Sequence, residues 1–147
     1  MRAVGRYLGI DVGTKTLGLA ISDDAGRIAF PLTVIRRAGI RRDLEQLAEW
    51  LEGRDVTDAV VGLPLNLDGT PGKMCPEADF VAQAVAERFG LAIHRQDERM
   101  TTVDAERTMI EADVSRRRRR QVVDKIAAAL ILQAFLDGAG TTGEGTR

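Results

Sequence analysis

Three short apolar segments open the chain with only turns between them, and two more follow at helix-length intervals; this order constrains the fold more than any other feature. Tyr7 to Ile10 leads into Asp11, and after the turn Val12-Gly13-Thr14-Lys15 the alternating residues Leu17, Leu19 and Ile21 predict the second arm of a hairpin. Asp24-Ala25-Gly26 is a further turn, and 27–37 reads as a third strand, with Pro31 assigning it to a sheet edge or an irregularity. Ile40, Leu44, Leu47, Ala48 and Leu51 recur at helical spacing over 39–51. The near-continuous apolar run over 58–63 fits a strand covered on both faces. A Gly- and Pro-rich loop over 64–74, a helix over 76–89, a fifth strand over 92–96, a helix from Thr101 or Thr102 to about 112, and a last helix over 119–136 complete the order. Hairpin turns force antiparallel pairing and helical crossovers allow parallel pairing. The predicted class is therefore α/β, a mixed five-stranded sheet flanked by helices, antiparallel first and parallel later.

The 147 residues suit one domain, expected over 1–138, with the small polar residues 139–147 as a flexible C-terminal tail. Apolar residues make up 44% and charged residues 29%, which excludes a wholly disordered chain. No apolar run approaches the roughly 20 residues that span a bilayer, and no signal-peptide succession is visible, so no membrane partner and a cytoplasmic location are expected. Cys75 and His94 are each the sole residue of their type, which excludes an intrachain disulfide and a Cys-based zinc site and argues against a Ser-His-Asp or Cys-His machine. Both read as structural. Net charge is only -1, yet the bases are gathered: Arg116, Arg117, Arg118, Arg119 and Arg120 form one run, and Arg36, Arg37, Arg41 and Arg42 a second cluster.

The acids point to chemistry. Asp11 ends the first strand, Asp97 and Glu98 end the fifth, and Asp124 rides the edge of the face formed by Val123, Ile126, Ala127, Leu130, Ile131 and Ala134 in the last helix. The carboxyl ends of parallel strands are the habitual ligand site of α/β sheets, and gathered carboxylates make a hard-oxygen site for Mg²⁺ or Mn²⁺. Adjacent residues on a strand point to opposite faces, so alternation does not choose between Asp97 and Glu98. Arg99 either pairs with the unused acid or reaches substrate. Lys15 is a candidate phosphate contact, and the five arginines are either a solvated block or a grip on a phosphate backbone. Small residues at 127 and 128 would let the last helix approach a sheet edge closely. The Asp-Val-Gly-Thr-Lys-Thr segment also resembles the phosphate hairpin of actin-like ATPases and sugar kinases, which close two such domains around a nucleotide; this length supplies one.

Four segments in order, Gly9-Ile-Asp-Val-Gly-Thr-Lys, Val61-Gly-Leu-Pro-Leu-Asn with Asp68-Gly-Thr, Asp97-Glu-Arg-Met-Thr-Thr, and Val123-Asp-Lys-Ile-Ala-Ala with Ile131-Leu-Gln, resemble the YqgF/RuvX family over residues 6–137. The resemblance implies a ribonuclease-H-like fold and a bacterial cytoplasmic nuclease that trims the 5′ end of pre-16S rRNA. It also implies that Asp11, Glu98 and Asp124 are the catalytic and metal-holding acids. The expected cofactor is a pair of Mg²⁺ or Mn²⁺ ions, and Lys15, Arg99 and Arg116 to Arg120 are the candidate substrate contacts. Members commonly carry arginine where this chain has Thr16. Two other functions are weighed: a resolvase acting on branched DNA as a homodimer, and a non-catalytic RNA-binding or transcription-associated module. A ribosomal partner is conceivable, and monomer and homodimer both remain open.

Overall fold

The computed structural model describes residues 5–99 and 115–142, with side chains in the second segment given for Ser115, Arg118 and residues 126–138. Its elements are β1 (Arg6–Val12), β2 (Thr16–Ser22), β3 (Ala29–Arg36), α1 (Ile40–Leu51), β4 (Val56–Leu63), α2 (Cys75–Phe89), β5 (Ala92–Asp97) and α3 (Arg116–Thr142). The sheet order is β3-β2-β1-β4-β5. β1, β2 and β3 pair antiparallel, while β4 joins β1 and β5 in parallel. Pro31 lies on the edge strand, opposite Ala20, where the β2–β3 register shifts, as its missing N–H requires. The helix expected up to about 112 lies outside the described residues. Helix α3 begins at Arg116, after Ser115 accepts the Arg118 N–H at 3.3 Å, and it continues to Thr142, so the stretch from 139 that the sequence marks as a tail starts as helix.

Two cores cover the sheet. On one face Leu8, Ile10, Leu17, Leu19, Ile35 and Val61 pack with Leu47 of α1 and Val81 and Val85 of α2. On the other, Ala20 and Val60 meet Ala128, Ile131, Leu132 and Leu136 of α3. The α3 contact sets the small Ala128 beside the bulkier Ile131, Leu132 and Leu136, so it combines close backbone approach at Gly9 with apolar burial worth about 25 cal/mol per Å². A methyl built on Gly9 would lie 2.9 Å from the Ala128 carbonyl oxygen and 2.8 Å from Leu132 Cβ. Helix α3 therefore lies across the sheet face, not at an edge as the sequence suggested. Its buried residues include Ala127, Ala128, Ala129, Ile131, Leu132 and Leu136, with Leu130 and Ala134 only half-buried.

Candidate active site

Side chains alternate along β1, so Leu8, Ile10 and Val12 enter the α1/α2 core while Gly9 and Asp11 face α3. Asp11 is half-buried and stands opposite Gly18 of β2. On its other flank Gly62 follows Val61, the β4 partner of Ile10. Glycines on both neighbouring strands leave the sheet surface beside Asp11 bare of side chains. That surface is where Glu98 comes to rest.

Strand β5 ends with Asp97 paired to Leu63, and the Glu98 N–H still donates to the Leu63 carbonyl at 3.3 Å. A methyl built on Gly62 would fall 2.5 Å from Glu98 Oε2 and 2.8 Å from Ile131 Cδ1, so the carboxyl and Ile131 occupy the room that the absent side chain leaves. Burial there, then the charges of Asp11 and Asp97, push the Glu98 carboxyl up to about 7. Asp97 turns elsewhere. Its Oδ1 accepts the Arg99 N–H at 2.9 Å and its Oδ2 accepts Arg99 Nε at 2.8 Å, and these bonds hold its carboxyl below the ordinary aspartate range. Arg99 Nη1 also donates to the Leu67 carbonyl at 3.3 Å. Of the two acids that alternation left equivalent, Glu98 is the one whose charge is coupled to Asp11, and Arg99 is tied to Asp97 and to the 64–74 loop.

Lys15 is exposed in the β1–β2 turn, and Arg118 is exposed in the first turn of α3. The side chains of Asp124, Arg116, Arg117, Arg119 and Arg120 lie outside the described residues. The direction of α3 is clear: Ala128 and Ile131 abut Gly9 and Gly62, while Phe135 stacks on Tyr7 at 5.9 Å near the start of β1. Position 124 therefore lies on the Asp11 side of Ala128. Among the described residues no group of three or more His, Cys, Asp or Glu is poised for a metal. Asp11 and Glu98 nevertheless fit a hard divalent cation: two carboxylates share a partly buried site, and burial followed by the Asp11 charge raises the proton affinity of Glu98, a cost that a bound cation would relieve.

His94 and Cys75 stand apart from this centre. His94 Nε2 lies 2.8 Å from Oδ2 of buried Asp58, and its ring stacks on Phe135 at 4.9 Å, towards the opposite end of the strands; Cys75 is buried with Sγ 3.6 Å from the Pro64 carbonyl. Two contributors went unnoticed in the sequence. Gly62 interrupts an otherwise apolar strand, a pattern that marks a close approach. Arg37 was grouped with its basic neighbours, but it donates to Asp43 Oδ2 at 3.2 Å, Glu77 Oε2 at 2.6 Å and the Gly13 carbonyl at 3.0 Å, fastening the turn after Asp11 to α1 and α2. No periodicity announces that role.

A family model described as "RuvX: Holliday junction resolvase" matches residues 5–138. A Moorella thermoacetica protein named "Putative pre-16S rRNA nuclease" is 47% identical over 138 residues, covering 94% of this chain and 99% of its own. A Myxococcus xanthus protein of the same name is 46% identical over 132 residues, covering 90% and 87%. Among solved structures, T. thermophilus RuvC in complex with Holliday junction substrate aligns with a TM-score of 0.55 and 17% identity, over 93% of this chain and 97% of that one. The fold is ribonuclease-H-like, as the motif resemblance implied.

Proposed function

The chain belongs to the RuvX family, and on that footing we propose that it is a divalent-metal-dependent nuclease that processes the 5′ end of pre-16S rRNA in the cytoplasm. The observation that carries this reading is the convergence of Glu98 on Asp11 over Gly62, with Asp97 withdrawn by Arg99. Asp11, Glu98 and Asp124 would hold Mg²⁺ or Mn²⁺, with Asp124 reaching the centre from the row of α3 that passes Gly9. When bound, a pair of such ions would supply an activated water and neutralise charge at the phosphate. Asp11 is fixed by its place in a central strand. Glu98 is held by the Leu63 bond and shielded from water by Ile131, so the fold supplies preorganised acceptors that need little rearrangement. Lys15 and the α3 arginines would orient the strand through its phosphates without reading its sequence. Among the described residues no helix is long and apolar enough to cross a membrane.

The description of the matching family model favours a second reading, resolution of branched DNA. Cleavage of a 5′-extended 16S precursor fragment, beside a synthetic four-way DNA junction, separates the two when run with Mg²⁺, Mn²⁺ or EDTA and with Asp124→Asn as the blank. Metal-dependent cutting of the RNA alone, lost in the variant, is the expected result. Paired cuts in the junction by a dimer, with the RNA intact, would replace the proposal with the resolvase reading.

A further inference from the structure

The second basic cluster, Arg36, Arg37, Arg41 and Arg42, has no part in the chemistry described so far, and the fold divides it. Arg37 turns inward to Asp43, Glu77 and Gly13. Arg36, Arg41 and Arg42 stay exposed, as do Lys15 and Lys73. Of these, Lys73 lines a cleft of about 600 Å³ together with Thr14, Arg37, Gly39, Met74 and Glu77, while Lys15 follows Thr14 and Arg41 and Arg42 lie just past Gly39 in the chain. Thr14 belongs to the turn that follows Asp11, Gly39 immediately precedes α1, and Lys73 and Met74 immediately precede α2. The cleft thus lies at the carboxyl end of β1, as Asp11 does, but on the α1/α2 face, whereas the arginine run begins α3 on the opposite face.

The charge balance favours an anion. Glu77, an acid of the lining, is engaged by Arg37 at 2.6 Å. Glu45 is exposed in α1, one turn beyond Arg41 and Arg42, but among the described residues neither arginine forms an ion pair with it, and Lys15 and Lys73 hold no acid partner either. With a net charge of -1, attraction to a polyanion must come from local surplus, and besides the Arg116–Arg120 run the exposed Lys15, Arg36, Arg41, Arg42 and Lys73 supply one in this region. The volume falls within the range of pockets that take nucleotide-sized groups. We infer that this cleft receives the phosphodiester backbone of the substrate where it leaves the Asp11–Glu98 centre, with Lys73, Arg41 and Arg42 as phosphate contacts. Nucleic acid would then cross the end of the sheet, held by cations on both faces. The inference rests on the nuclease reading above.

The test uses the full chain carrying Asp11→Asn to prevent cutting, with and without Arg41→Gln, Arg42→Gln and Lys73→Gln together. Fluorescence anisotropy follows binding to single-stranded RNA and DNA across a salt series, on strands extending past the cleavage point on both sides and on strands cut back on either side. Removing three phosphate contacts is expected to flatten the slope of log K against log salt by about 2 on the long strands. On one of the two shortened forms the parent and the triple variant should coincide. An unchanged slope on the long strands, with the parent binding normally and the variant melting like the parent, would overturn the inference and leave the nuclease reading standing. A loss confined to RNA would overturn the assignment to phosphate. A wild-type protein that neither binds nor cuts any strand would remove both.

Discussion

Replacing Glu98 with glutamine should stabilise the metal-free protein while abolishing cleavage, and the size of the effect follows from its surroundings. The carboxyl is pushed from 4.5 to about 7, mainly by burial against Gly62 and Ile131 and then by Asp11. A carboxyl that holds its proton more tightly folded than unfolded contributes stability that is complete below about pH 4.5 and is lost as pH rises through 7. The difference between those values corresponds to about 3 kcal/mol at most. Glu98→Gln keeps the shape and cannot ionise, so it escapes this cost. Urea unfolding in EDTA should therefore show the variant ahead of wild type by about 2 to 3 kcal/mol at pH 8 and by under ~1 kcal/mol at pH 5. For a chain of this size the gap at pH 8 amounts to several degrees in Tm. If the variant is no more stable than wild type at pH 8, or if the gap fails to grow with pH, the side chain does not sit in the strained, charge-crowded position described here.

Gly62→Ala places a methyl 2.5 Å from Glu98 Oε2, so cleavage should fall on the order of 100-fold, as displacing a reacting group by about 1 Å does, and far more than the ~1 to 3 kcal/mol lost in unfolding would explain; kinetics and melting of the same preparation compare the two. Saturating Mn²⁺ should raise Tm more at pH 8 than at pH 6, because protons compete for Glu98 below 7, and calorimetry of Asp11→Asn should show little of that shift. Arg37→Ala strands fully buried Asp43 and should cost about 3 to 5 kcal/mol in urea unfolding, with Arg37→Lys recovering only part because it lacks the planar fork.

The succession of elements, the antiparallel-then-parallel pairing and the place of Pro31 at an edge or irregularity were legible because alternation and turn residues act locally. The buried face of α3 was legible only in part. The sequence put Val123, Ile126, Ala127, Leu130, Ile131 and Ala134 on one face, and Ala127 and Ile131 are buried, but so are Ala128, Leu132 and Leu136, drawn in by the flat surface of Gly9 and Ala20, far earlier in the chain. The choice of Glu98 over Asp97 needed the family motif, because it depends on where Arg99 turns after the strand ends. Asp43 carries no mark in the sequence; the fold buries it, and it accepts the Ala38 N–H at 2.8 Å beside Arg37. Asp11, by contrast, could be placed from the sequence, since an acid closing an apolar strand before a glycine turn has few other places to go.

The layer that α3 lays over the sheet also sets a schedule. Among the described elements it is the last to be synthesised, and Ala20, Val60 and the Gly9–Gly62 surface have no cover until it docks. Before that moment Ile131 is not beside Glu98, and the carboxyl is an ordinary solvated one. A growing chain still attached to its ribosome therefore passes most of its synthesis with the surroundings of Asp11 and Glu98 incomplete, and the docking of α3 is what completes them.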